Sequence, residues 1–429
     1  MKLGLICTSL LASTFLFACG GSTESTPTDS GADANQVATD GGHVDASTKP
    51  DSSVVEAGPF APAPHAAAPR VENYGGNVMA SPKILPIFFT GDDVMQKQIE
   101  AFLASLAPST YWTDTTSEYG VAKATVLPTI VTTDVPPTTD DAAQLWLANM
   151  TDGTHMGWPK PDANTIYAIF LPDNAVISIA HWGPSCTGFG GYHYEATGKN
   201  NESIVYAVMP RCKSFGQYKG LDALTGTLTH ELIETVTDPT AVTNSAFAGP
   251  DKDHYVWALV PLGEVGDMCT YEPQSFQRLL GGTYVVQRTW SNAAAKAGND
   301  PCVPHMTDAY FNSVPVLSEN VTLDFGQGSQ TQTKGVKIPV GTSKTIEIDL
   351  FSDAPTNDWT VQAEDVHSLF SGGQPELTFS WDNQTGNNGD KLKLTITHEA
   401  KGQYNGSEFV LYSQKGLKVA NLWFGFVSN

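Results

Sequence analysis

Basic residues are scarce in this chain: 23 Lys and Arg stand against 45 Asp and Glu, for a formal charge of -22 at pH 7. Such a surface repels a phosphate backbone or an anionic lipid face, so neither nucleic acid nor a charged membrane surface is expected as a partner. No GxSxG string occurs, which removes the nucleophile elbow of a serine hydrolase. No CxxC pair or Cys/His cluster of zinc-finger spacing occurs either, so a structural thiolate-metal site is not expected. Beyond the first residues no apolar run approaches the ~20 residues that a spanning helix needs.

What is present begins at the N-terminus. Lys2 supplies a positive start, Leu3 to Phe17 is almost wholly apolar, and Leu16-Phe17-Ala18-Cys19 follows. These are the parts of an export signal. The last four residues resemble the lipobox of bacterial lipoproteins, although Phe17 is bulkier than usual there. The resemblance implies that Cys19 is acylated and becomes the new N-terminus, so that membrane contact is through the lipid alone. Gly20 in place of Asp after the cysteine favours the outer membrane by the same resemblance. From Gly20 to about Pro69 the composition is Ser, Thr, Asp, Ala, Gly and Pro with few large apolar side chains. Burial cannot offset ordering entropy there, and a disordered tether is expected.

With Cys7 inside the signal and Cys19 the lipid site, Cys186, Cys212, Cys269 and Cys302 remain. Four cysteines outside the cytoplasm read as two disulfides, with three pairings open; Cys186–Cys212 and Cys269–Cys302 are the favoured ones.

The pattern over residues 70–305 alternates apolar strands with helices. Ile84 to Phe89 reads as a buried strand, and Val94 to Leu106 as an amphipathic helix. Ala124 to Val131 and Thr165 to Leu171 read as strands around a helix from Asp140 to Met150, and Ile204 to Met209 as a strand before a helix from Leu221 to Val236. A mixed sheet covered by helices is expected. Residues 306–429 differ. Period-two runs such as Ile346, Ile348, Leu350 and Leu392, Leu394, Ile396, separated by Gly, Asn, Asp and Ser turns, predict an all-β immunoglobulin-like sandwich in an accessory role. The fold class is thus α+β followed by all-β.

Chemistry concentrates in Thr229-His230-Glu231-Leu232-Ile233-Glu234-Thr235-Val236-Thr237-Asp238-Pro239. On a helix His230 and Glu234 lie one turn apart on one face, the spacing at which two side chains grip one ion. Glu231 lies beside the first ligand, where a carboxylate can take a proton from water. The logic is that of the HExxH helix of zinc peptidases with Glu in place of the second His. Carboxylate oxygen ligates zinc acceptably, although it also suits harder ions. An HExxE string arises by chance on the order of a few times in a hundred chains of this length, so context matters. Pro239 ends the helix, and Gly263-Glu264-Val265-Gly266-Asp267-Met268-Cys269 offers acidic candidates for a third ligand. The competing structural reading is a surface helix that buries Leu224, Leu228 and Leu232 and turns His230 and both glutamates to solvent.

The stretch from Lys83 to Val303 resembles the Exordium/phosphate-induced protein 1 family and its bacterial, zincin-like relatives. The features that carry this are Tyr192-His193, Tyr206-Ala207-Val208 before Cys212, the His230–Glu234 helix with Thr237-Asp238-Pro239, Gly263 to Cys269, Val286-Gln287-Arg288 and Trp290-Ser291-Asn292. The resemblance implies that His230 and Glu234 are metal ligands and Glu231 the general base. Glu264 and Asp267 then compete for the third position, Glu264 being preferred and Asp267 orienting a ligand by hydrogen bond. Asp238 is expected to close the helix end. His193 is a candidate for stabilising an oxyanion or touching substrate. A Cys269–Cys302 bridge would pin the acidic loop beneath the helix.

Two functions follow as expectations. One is a surface-anchored zinc-dependent metallopeptidase-like hydrolase, Zn2+ or another divalent metal its cofactor and a peptide or protein its substrate. The other is a non-catalytic cell-surface protein that binds a wall component and keeps only a structural metal site. In either case the protein is expected to act as a monomer in the cell envelope.

Overall fold

The computed structural model describes residues 60–429 apart from Pro261, Pro273 and Leu417. The export signal, the lipid site at Cys19 and most of the expected tether lie outside these residues.

Strand β1 (Lys83–Phe89) is buried along all but its first residue and lies near the centre of a sheet. Helix α1 (Asp93–Leu106) follows, then α2 (Thr110–Thr116), started by the Ser109 side chain accepting from Trp112 N at 3.1 Å. Two short strands, β2 (Thr125–Val126) and β3 (Ile130–Thr132), both run parallel to β1. The sequence pattern predicts one continuous strand here. Pro128 interrupts it, because proline has no N–H for the ladder. Helix α3 (Asp140–Met150) begins at Thr139, whose hydroxyl accepts from Ala142 N at 3.2 Å. Strand β4 (Thr165–Phe170) pairs parallel with β1 on its other side. Next come β5 (Tyr192–Thr197) and β6 (Ser203–Met209); β6 is parallel to β4, and β5 pairs antiparallel with β6 to form the sheet edge.

Helices cover both faces of this sheet, and the alternation of side chains shows it. Ile84, Phe88, Ile166, Phe170, Val205 and Met209 pack with Ile99, Phe102 and Leu103 of α1 and with the helix α4 (Leu221–Thr237). Leu85, Ile87, Tyr167, Ile169, Tyr206 and Val208 pack with Ala143 and Leu147 of α3. Burial on both faces is why these strands read as continuous apolar runs rather than alternating ones. After α4, strands β7 (Phe276–Leu279) and β8 (Tyr284–Gln287) form a hairpin, and β8 packs along α4.

From Phe311 onward the described chain is mostly strand. One sheet has the order Phe311–Pro315, Ser343–Ser352, Lys391–His398, Leu377–Trp381, and all its pairings are antiparallel. The second has the order Glu319–Asp324, Gln330–Lys337, Lys418–Ser428, Gly406–Lys415, Trp359–Asp365, Thr385–Gly386. Trp359 from the second sheet donates its indole N–H to Ser313 Oγ of the first at 3.0 Å, and its ring packs on Phe311. The architecture is therefore α+β with a largely β C-terminal region.

Residues Ala61–Asn429 pack as one compact unit. Trp257 joins its two parts, its ring lying 5.7 Å from that of Trp290 on one side and 5.6 and 5.0 Å from those of Trp423 and Phe424 on the other. Tyr255 N donates to Thr333 Oγ1 at 3.0 Å. The chain is already held well before Pro69, where the tether was expected to end. His65 stacks on Phe351 at 3.7 Å, and Ala63 N donates to Asn388 Oδ1 at 2.9 Å. Both cystine pairs form as favoured from the sequence: Cys186–Cys212 and Cys269–Cys302.

At the junction Glu272 accepts from Leu422 N at 3.0 Å through Oε1, while its Oε2 is sealed from water without a hydrogen-bond partner among the described residues. Burial pushes this carboxyl up to about 8, and the Leu422 N–H only partly opposes it. A carboxyl raised on folding contributes fully below its unfolded value and loses that contribution as pH rises toward the folded one. Glu272→Gln is therefore expected to flatten the loss of stability between pH 5 and 8, leaving the variant more stable than the parent at pH 8.5. Denaturation midpoints measured across that range check this, and identical slopes would show that Glu272 does not titrate there.

Candidate metal centre

Helix α4 lies beneath β5 and β6 and against β8, and it is buried on nearly every side. Leu228, Leu232, Ile233 and Val236 are fully buried in the core. Glu231 and Glu234 keep only 5% and 3% of their surface exposed, so the helix does not turn its carboxylates to solvent. The ordinary cost of burying a charge demands partners for them. Those partners come from three other segments.

The first is the loop from Gly263 to Cys269, which Cys302 tethers through Cys269. Asp267 N donates to Glu234 Oε1 at 3.0 Å, leaving Oε2 to face His230 Nε2 at 3.0 Å. Asp267 Oδ1 lies 3.7 Å from that same nitrogen. His230 Nε2, Glu234 Oε2 and Asp267 Oδ1 thus converge, with all ligand atoms of the set within 4.8 Å of one another. Ligand atoms about 2.1 Å from one ion at tetrahedral angles sit about 3.4 Å apart, so this set fits a metal ion. Imidazole with carboxylates suits zinc and harder divalent ions alike. Gly266 makes the approach possible. A Cβ there would lie 2.7 Å from Glu234 Oε1 and 2.8 Å from His230 Nδ1.

The second segment is β8. Gln287 Nε2 donates to Gly266 O at 2.6 Å, which fixes the amide so that Oε1 faces His230 Nδ1 at 2.9 Å. The Nδ1 must then carry the proton, and Nε2 is the nitrogen left for a metal. Gln287 N is itself held by Thr229 Oγ1 at 3.0 Å. Sequence reasoning did not single out Gln287 as a site residue. Its signal was its place in Val286-Gln287-Arg288, one of the stretches that carry the family resemblance, where no role was read for it.

The third segment is β5. His193 places Nδ1 3.4 Å from Glu231 Oε2 and 3.7 Å from Glu234 Oε2, with Nε2 3.9 Å from Glu264 Oε2. Of the two carboxylates that compete for a third ligand position, Asp267 is the one brought to His230. Glu264 faces His193 instead, with 19% of its side chain exposed, more than Glu234 or Asp267. Asp238 closes the end of α4: its Oδ1 accepts from Ala246 N at 2.7 Å. Gly191, just before β5, runs so close to α4 that a Cβ would meet Thr227 at 2.9 Å and Glu231 at 3.1 Å.

Charges in this pocket shift one another. Burial raises the carboxyls of Glu264 and Asp267 well above the usual range, and the charge of Glu234 adds to it. Burial alone would lower both imidazoles. Glu234 outweighs it at His230, as Glu231 and Glu234 do at His193, and both end above the ordinary histidine value. Burial would raise Glu234, yet His230 and His193 hold it below the usual carboxylate range. Proton binding and divalent-cation binding therefore compete in this cluster.

No protein-family model and no curated protein matches the sequence. Among solved structures, domains 4–9 of surface layer protein SbsC are similar at 14% identity and a TM-score of 0.16, over 34% of this chain and only 24% of that one. A likeness that slight carries no argument about fold or function.

Because Gln287 orients His230, Gln287→Leu is expected to weaken binding of added zinc by roughly 10- to 100-fold. Competition titration against a chromophoric chelator measures it. Unchanged affinity would mean that the amide plays no part in presenting the imidazole.

Proposed function

We propose that this protein is a zinc-dependent hydrolase of metallopeptidase type, built on a zincin-like body with an immunoglobulin-like sandwich as accessory part. The observation that carries the reading is the convergence of His230 Nε2, Glu234 Oε2 and Asp267 Oδ1 on a buried helix, with the amide of Gln287 fixing which imidazole nitrogen is presented. His230, Glu234 and Asp267 would hold the ion. A zinc ion bound there would lower the pKa of water and polarise a carbonyl group.

The residues of the chain do the rest. Glu231 sits one position along the helix from His230, buried and acceptor-only when ionised, and takes the proton of the attacking water. His193, 3.4 Å from Glu231, offers a ring N–H to negative charge developing on the substrate oxygen. Strand β5, which carries His193, forms the sheet edge. An extended peptide can add to such an edge through its own N–H and C=O groups, and this supports peptide as the substrate class. On the same reading lipid on Cys19 holds the protein at the cell envelope.

The full chain is expected to bind zinc and to cleave a mixture of random peptides. Glu231→Gln should lose that cleavage by 100-fold or more, a loss on the order of general-base catalysis, while retaining the zinc. Peptide fragments followed by mass spectrometry, beside metal content, read both. Zinc without turnover in the parent chain would sink the hydrolase reading and leave a wall-binding protein with a structural metal.

A further inference from the structure

The cluster holds more ligands than one ion can use. Beside His230, Glu234 and Asp267, a second set meets the same geometric test: His193, Glu231 and Glu234, again with all ligand atoms within 4.8 Å of one another. The two sets share Glu234 and do not merge into one. Glu234 Oε2 lies between the two imidazoles, 3.0 Å from His230 Nε2 and 3.7 Å from His193 Nδ1.

The contacts of His193 are too long for good hydrogen bonds. N–H···O bonds fall at about 2.7–3.2 Å, whereas its distances to Glu231, Glu234 and Glu264 are 3.4, 3.7 and 3.9 Å. Ligand atoms about 2.1 Å from one tetrahedral ion stand about 3.4 Å apart, which is the spacing seen between His193 and Glu231. A separate observation points the same way. Asp238 is completely buried, and its Oδ2 makes no well-formed hydrogen bond among the described residues. Its ionisable neighbours are His193, Glu195 and Glu264, and the Glu264 carboxyl is the group that reaches it. Five carboxylates, those of Glu231, Glu234, Asp238, Glu264 and Asp267, therefore surround two imidazoles.

We infer that the centre has a second divalent-cation position, formed by His193, Glu231 and Glu234, with Glu234 bridging it to the His230 position. The inference rests on the metal-binding reading above and deepens it. Because Glu231 is a ligand in the second position, filling that position takes away the group that would accept a proton from water. The His230 position is the better prepared, since Gln287 presents its imidazole; the His193 position is accordingly the weaker of the two.

The test is the number of ions bound. The full chain, stripped with chelator and titrated with zinc alone, is examined by native mass spectrometry with its disulfides intact. Two ions are expected at saturation. His193→Ala should retain one, the tighter, and His230→Ala should lose that tighter ion. Saturation of the parent chain at one ion overturns the second position and leaves the hydrolase reading standing. Two ions still bound by His193→Ala also overturns it, because the second ion would then sit elsewhere. No bound zinc overturns both. The count on the parent chain decides the matter even where a variant fails to fold.

Discussion

A helix enclosed on nearly every side carries two carboxylates and an imidazole, and the rest of the molecule is arranged around compensating them. Glu231 and Glu234 are almost wholly withdrawn from bulk water, and an uncompensated charge in such a place would cost more than a domain can spare. Compensation comes from far along the chain: His193 from the sheet edge, the backbone N–H of Asp267 from a loop, and Gln287 through His230 from a hairpin. Each of these segments must be held to within a few tenths of an ångström. The cystine at Cys269 and the absence of side chains at Gly191 and Gly266 are what allow that closeness.

Much of the scaffold was legible in the sequence because burial writes a strong pattern. Ile84 to Phe89 and Ile204 to Met209 are apolar without interruption, and both are interior strands covered on two faces. The helix read from Leu221 to Val236 spans Leu221–Thr237. The spacing of His230 and Glu234 follows from helical periodicity alone, so their common face could be read directly. The Ala124 to Val131 segment was harder. Its apolar content suggested one strand, while Pro128 divides the ladder into two.

The remainder of the centre was not legible because it depends on contacts between distant segments. Glu264 and Asp267 lie only three residues apart, and their sequence gives no reason to send one to His193 and the other to His230. The turn at Gly266 makes that division. Gln287 is separated from His230 by 57 positions, and its role appears only when β8 lies along α4. The stretch before Pro69 shows the same limit in reverse. Its composition predicts disorder, yet His65 finds an aromatic partner in Phe351, which no local rule could anticipate.

Trp257 gives the molecule an unusual kind of unity. Its ring faces Trp290 on one side and Trp423 and Phe424 on the other, and Trp290 N donates to Val265 O in the acidic loop at 2.9 Å. A loop that supplies Asp267 is therefore backed, through two indoles, by strands more than a hundred residues downstream. The C-terminal sheets cannot be exchanged for another module as beads on a string can be. Any replacement would have to bring its own large apolar side chains to the same spot, or leave Trp257 facing water and the acidic loop without its backing.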